Sequence, residues 1–213
     1  MLGLAGVTEG SATGQAARSA PELTPQSSGT TQGLIAVSPV NKRVVWASGR
    51  GGTFAVTTDG GATWRSGVVP GAESLQFRDV EGVSESVAYL LSIGNNPGDF
   101  RIYKTTDGGS TWSLQFQNQN PSAFYDCFAF WTPTRGFAQS DAVNGQFPVE
   151  RTTNGETWES IAGNEPAAHP GEFFFASSGT CVATQGKDNA WAVTGGVSPP
   201  RVLVTRDGGD TCR

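Results

Sequence analysis

Three observations predict the fold class. Glycine is abundant and charge sparse, short apolar stretches begin on aromatic residues, and one turn-like motif returns about every fifty residues. Together they describe an all-β chain of short antiparallel strands joined by tight turns, repeated as four-stranded units. That is the pattern of a β-propeller, with about four blades present.

The composition comes first. Among 213 residues there are 29 Gly and 12 Pro, with only 15% charged. Six Trp and twelve Phe supply large apolar side chains for many small sheets. The single His excludes a histidine-rich metal cluster, and no metal or cofactor is expected. The net charge of −5 is spread without a basic run, which argues against nucleic acid as a partner. No apolar stretch approaches membrane-spanning length, so no membrane insertion is expected.

The repeat is explicit. Thr57-Thr58-Asp59-Gly60-Gly61-Ala62-Thr63-Trp64 returns as Thr105-Thr106-Asp107-Gly108-Gly109-Ser110-Thr111-Trp112. A third copy, Thr152-Thr153-Asn154-Gly155-Glu156-Thr157-Trp158, is one glycine short. The fourth, Thr205-Arg206-Asp207-Gly208-Gly209-Asp210-Thr211-Cys212, has Cys in the Trp position. Asp59, Asp107, Asn154 and Asp207 are spaced by 48, 47 and 53 residues, the length of a four-stranded blade. In each copy a β-branched strand is stopped by Asp-Gly-Gly. The side-chain oxygen can accept from backbone N–H groups just ahead, and glycine takes the positive-φ positions. These aspartates therefore read as structural. Trp64, Trp112 and Trp158 read as apolar plugs, each against its own blade or the next.

Between the turns the order also repeats. A first apolar strand is expected at Leu34–Val37, Phe77–Val80, Asp126–Phe130 and Thr180–Ala183. An aromatic-led second strand follows at Val45–Ser48, Ala88–Ser92, Gly136–Ser140 and Ala190–Val193. Blades are thus expected over 34–70, 71–118, 119–165 and 166–213, within a propeller domain of 23–213. Residues 1–22, rich in Ala, Gly, Ser and Thr, read as a disordered leader or the remnant of a signal peptide. If Leu23–Thr30 paired beside Val202–Thr205, a four-bladed ring would close. The last turn lacks its Trp and is followed by no outer strand, so an incomplete larger ring is the expectation, with self-association through exposed blade edges. Cys127, Cys181 and Cys212 lack CxxC spacing and read as small buried apolar residues. The first two could pair if the protein is exported.

The T-T-D-G-G-x-T-W turns resemble the Asp-box, or bacterial neuraminidase (BNR), repeat. The layout is similar to photosystem II stability and assembly factor-like propellers. The stretches Phe77-Arg78-Asp79-Val80-Glu81, Ala88–Gly94, Arg101–Gly109 and Phe124-Tyr125-Asp126-Cys127 carry that resemblance. It covers residues 23 to 213 and implies a seven-bladed-type, exported protein, periplasmic or extracellular, that acts by binding. Four turns fall short of seven blades.

Candidate ligand-binding residues lie beside the innermost strands, where propeller ligands sit. Arg78, Asp79 and Glu81 cluster on one such strand, and Tyr125 and Asp126 follow the same Phe-x-Asp pattern one blade later. Asp141 and Glu172 lie in connections able to reach the same mouth. The expected function is a non-catalytic module binding a protein or glycan there. The alternative is a sialidase-like glycoside hydrolase acting on extracellular glycans through paired carboxylates. Against it, a Phe-x-Asp repeated in consecutive blades fits a structural role. Arg101 runs straight into a turn and lacks the proline of the sialidase arginine motif. His169, alone in a Pro-rich loop, reads as a loop residue, and no nucleotide-binding fingerprint is present.

Overall fold

The computed structural model describes residue 20 and residues 22–161, 163–176 and 179–212. The leader expected over 1–22 falls almost wholly outside them.

Among the described residues, fifteen strands form four antiparallel sheets, each a meander in sequence order. The first contains β1 (Leu34–Pro39), β2 (Val45–Gly49), β3 (Thr53–Thr57) and β4 (Arg65–Val68). The second contains β5 (Gln76–Gly82), β6 (Ala88–Ile93), β7 (Arg101–Thr105) and β8 (Ser113–Gln117). The third contains β9 (Tyr125–Thr132), β10 (Arg135–Ser140), β11 (Val149–Thr152) and β12 (Glu159–Ser160). The last has three strands, β13 (Val182–Gln185), β14 (Asn189–Val193) and β15 (Val202–Thr205). Every residue of β3 and β6 is buried, as expected for strands covered on both faces.

The repeat turns follow the hydrogen-bond logic read from sequence. At the second turn, Asp107 Oδ1 accepts from Thr111 N at 2.8 Å and from Thr105 Oγ1 at 2.9 Å. Thr111 Oγ1 donates to Asp107 Oδ2 at 2.6 Å, and Gly109 N to Thr105 Oγ1 at 2.8 Å. The turns at Asp59 and Asp207 share this pattern, and Asn154 Oδ1 accepts from Thr157 N at 2.9 Å. These bonds hold Asp59, Asp107 and Asp207 at a pKa of about 2, the threonine hydroxyl being the largest cause.

For Trp112 the aromatic plug differs from expectation. Trp112 reaches back to the preceding sheet, its ring 5.1 Å from Phe54 and 6.2 Å from Trp46. Trp158 instead meets Phe130 of its own sheet edge-on, within the cluster that joins the second and third sheets. Cys212, in the Trp position of the fourth turn, packs with Trp131 and Ile161 of the third. Among the described residues Trp64 meets no other sheet in this way, and its Nε1 donates to Gln26 Oε1 at 2.9 Å. The reason lies in the turn. Gly109 at φ +86° sits so close to the Phe54 ring that a Cβ would come within 2.5 Å, so the turn is laid against its predecessor. Contacts also run forward. Trp46 Nε1 donates to Ser84 O at 2.8 Å, Tyr89 Oη to Pro133 O at 3.0 Å, and Trp131 Nε1 to Asn189 O at 2.7 Å.

Two further observations concern the cysteines and the ends. Cys127 and Cys181 form a disulfide with Cα atoms 6.1 Å apart, tying β9 to the start of β13; they are not simply buried apolar residues. The segment 23–30 forms no strand and makes no bonds with β15. It lies along β4, where Ser66 Oγ donates to Gly29 O at 2.8 Å. Among the described residues, most exposed large apolar side chains gather at the two ends, Leu114 of β8 being an exception. Leu34, Val37 and Val68 belong to the first sheet; Phe173, Phe175, Val193 and Val202 belong to the last sheet and its approach.

Candidate functional site

The innermost strands β1, β5, β9 and β13 line a central cleft of about 300 Å³, which an adjoining cleft of about 330 Å³ continues toward the hairpins at Val40, Val83 and Pro133. A register irregularity at the start of β1, β5 and β9 positions the candidate side chains. Phe77 pairs with Ser92 and Asp79 with Leu91, leaving Arg78 as the extra residue. One sheet later Tyr125 pairs with Ser140 and Cys127 with Gln139, leaving Asp126 as the extra residue. Asp126 is therefore the counterpart of Arg78, and Cys127 that of Asp79. The Phe-x-Asp pattern aligns these strands one residue out of register.

The pairing explains what Asp79 does. Its carboxylate accepts from Val80 N at 2.8 Å and from Phe128 N at 3.1 Å, crossing from β5 to β9. Cys127 makes the next crossing, to β13, through its disulfide. Burial, with the charge of Glu81 added, raises the Asp79 pKa well above the carboxylate range. Gly179, at φ +63°, leaves room for this carboxylate, since a Cβ there would lie 2.4 Å from Asp79 Oδ1.

The seven candidates do not share one mouth. Arg78, Asp126 and Asp141 gather at the start of the inner strands, beneath the segment leading into β13. Arg78 Nη1 donates to Ala176 O at 3.3 Å, and Phe174 N to Asp141 Oδ1 at 2.7 Å. Asp126 is 2% exposed, and its Oδ2 finds no hydrogen-bond partner among the described residues. Burial first, then the facing Asp141, raises its pKa, and burial raises that of Asp141. Glu172 is engaged elsewhere. It accepts from Arg201 Nε at 2.8 Å and Nη2 at 2.5 Å, from Thr194 Oγ1 at 2.6 Å and from His169 N at 2.9 Å. These bonds, Arg201 foremost, hold it at about 2.

Glu81 is the exception. It lines both the central cleft and its continuation and has no hydrogen-bond or ion-pair partner among the described residues. Burial alone pushes it up to about 7.

Against solved structures, the chain is similar to the GH74 enzyme of Niastella koreensis at 19% identity and a TM-score of 0.53. That match covers 84% of this chain and 28% of the enzyme. An ancestral GH74 enzyme matches at 15% identity and a TM-score of 0.50, over 81% of this chain and 25% of that one. The architecture is a β-propeller. The chain spans only about a quarter of either enzyme's length, and at such identities the likeness is one of fold. A structure described as YCF48 bound to D1 peptide matches at 16% identity and a TM-score of 0.47, covering 86% of this chain and 82% of that one. No protein-family model matches the chain, and the search of curated proteins gives no match.

Within the propeller, Tyr125 turns out of the inner cluster. Its hydroxyl donates to Glu150 Oε1 of β11 at 2.9 Å, and Phe116 of β8 meets its ring edge-on at 5.2 Å. These residues belong to a separate cleft of about 460 Å³ between the second and third sheets. Sequence reasoning missed it. The available signal was the run of four amides Gln117-Asn118-Gln119-Asn120 directly after Phe116. Among the described residues no three His, Cys, Asp or Glu side chains gather as metal ligands, and no helix is long and apolar enough to cross a membrane.

Proposed function

We propose that the chain is a non-catalytic, exported binding module of the photosystem II assembly factor-like kind, its repeat turns being Asp-boxes. Its ligand is an extended protein segment in the central cleft, with Glu81 as the anionic contact. The observation that carries this reading is the state of the candidate carboxylates. Asp79 and Glu172 are consumed by internal bonds, and Asp126 and Asp141 press against each other under a covering segment. Glu81 alone opens on the clefts without a partner among the described residues. A glycosidase needs two carboxyl groups about 5–9.5 Å apart across its substrate, and an abutting, covered pair leaves no such gap. Each inner strand is the first or last member of its sheet, so its other edge offers backbone N–H and C=O groups to an extended chain. The Cys127–Cys181 bond supports an oxidising compartment and hence export. The exposed apolar residues of the first and last sheets support self-association as well.

Fluorescence polarisation with labelled extended peptides, with and without a central lysine, tests the reading. Lysine peptides should bind more tightly at pH 8 than at pH 6, because Glu81 ionises around 7. Glu81→Gln should remove that pH dependence and weaken binding about tenfold. Hydrolysis of aryl sialosides or aryl glycosides that disappears in Glu81→Gln would overturn it, as would indifference of peptide binding to this residue.

A further inference from the structure

The cleft between the second and third sheets lies away from the central one and shares no lining residue with it. It is also larger, at about 460 Å³ against about 300 Å³. Six of its twelve lining residues are Asn or Gln, and none is Lys, Arg, His or Asp. Recognition there would work through hydrogen bonds of neutral amides, with Glu150 the single carboxylate.

Both walls are held in place. On one side Asn118 Nδ2 donates to Pro97 O at 3.2 Å and Asn120 O at 2.9 Å, and Gln117 Nε2 to Gly98 O at 3.0 Å, which fixes the exit of β8. On the other, Val143 and Gln146 exchange backbone bonds of 2.7 and 3.1 Å around Asn144 and Gly145, whose φ angles are 53° and 80°. That is a two-residue turn with both central residues at positive φ, the rigid hairpin form that Asn-Gly favours. The floor is the buried Tyr125 bonded to the half-buried Glu150, with the half-buried Phe116 ring against it. The side chains of Asn144 and Gln146, at the lip, make no hydrogen bond among the described residues. The fold therefore gives them no structural work beyond the backbone shape of the turn.

We infer that this cleft is a binding site for a neutral saccharide. Amide groups offer donor and acceptor together, matching hydroxyls that both give and take. Glu150 has one oxygen occupied by Tyr125 and a second, Oε2, with which to accept from a sugar hydroxyl. Phe116 provides an apolar ring beside which the C–H face of a pyranose can lie. The absence of a cation from the lining disfavours phosphate and carboxylate ligands, and a lining half made of amides disfavours lipids. The inference is independent of the central cleft, since Glu81 takes no part in it.

The test uses the full chain and saturation-transfer NMR with a panel of neutral tetrasaccharides: malto-, cello-, manno- and chitotetraose. At least one should bind, with an affinity unchanged between about 0.05 and about 0.5 M NaCl, because no charge is paired. The variant Asn144→Gly, which keeps positive φ, combined with Gln146→Ala should weaken that binding about tenfold or more at unchanged melting temperature. Glu81→Gln should leave it unaffected. Silence of the whole panel, binding that survives the double variant, or selective binding of peptides at Gln146 would each overturn the inference.

Discussion

Replacing Glu172 with glutamine tests how the last blade is held. The carboxylate is 3% exposed and collects four hydrogen bonds, two of them from Arg201. Its pKa falls from the ordinary 4.5 to about 2. At about 1.4 kcal/mol per pH unit, that difference corresponds to about 3 kcal/mol of folded-state stabilisation. Breaking a buried ion pair by removing one charge costs about 3–5 kcal/mol, and the partly exposed Arg201 places this pair at the lower end of that range. The sign follows from a depressed folded-state value. The stabilisation is fully present above the unfolded value of 4.5 and is lost as pH falls toward about 2. Glutamine resembles protonated glutamate, so the variant should be weaker by about 3 kcal/mol at pH 7 and nearly equal to the parent near pH 2. Urea unfolding of both proteins across this range, with hydrogen exchange at Phe173 and Val193 to localise the loss, measures the difference directly. A difference that stays flat with pH, or remains below about 1 kcal/mol at neutrality, would refute the account.

Three more outcomes follow from the seams and turns. Trp112→Ala should cost about 3 kcal/mol because it empties a space between Phe54 and Trp46. Trp64→Ala, which forfeits little beyond a contact with Gln26, should cost under about 1 kcal/mol; equal losses in chemical denaturation would contradict the backward plug. Reducing the disulfide releases a closure across 54 residues of sequence and should destabilise by about 4 kcal/mol, seen as a lower urea midpoint in reductant. Asp107→Asn should melt close to the parent, since Asn154 already serves one turn, whereas Asp107→Ala should melt lower. Thermal scans of the two variants decide between a turn role and any other role for this carboxylate.

The parts of the fold legible in sequence were the local ones. Each repeat turn closes within six residues, from Thr105 to Thr111 for example, so its bonds are encoded where they are made. The strands between turns were legible for the same reason. The site was not, because one extra residue at Arg78 and at Asp126 shifts the register of the inner strands. A shared Phe-x-Asp spelling then puts Asp79 and Asp126 in different roles. Glu172 and Tyr125 were misplaced because their partners, Arg201 and Glu150, lie 29 and 25 residues away. The backward direction of Trp112 depended on the contact between Gly109 and Phe54, which no spacing reveals.

The seams also determine how the molecule should answer a mechanical load. Trp46 and Tyr89 each grip the next blade, while Trp112 grips the one before, so cohesion passes from neighbour to neighbour like links in a chain. A pull on the two termini should then unravel the chain stepwise. Turn spacings of 48 and 47 residues correspond to length steps of about 17 nm each. The third and fourth blades are the exception, because the Cys127–Cys181 bond welds them into one link and hides the chain between its cysteines, 54 positions apart, from extension. Under tension the oxidised protein should stop short by that hidden length, and a reductant should release it.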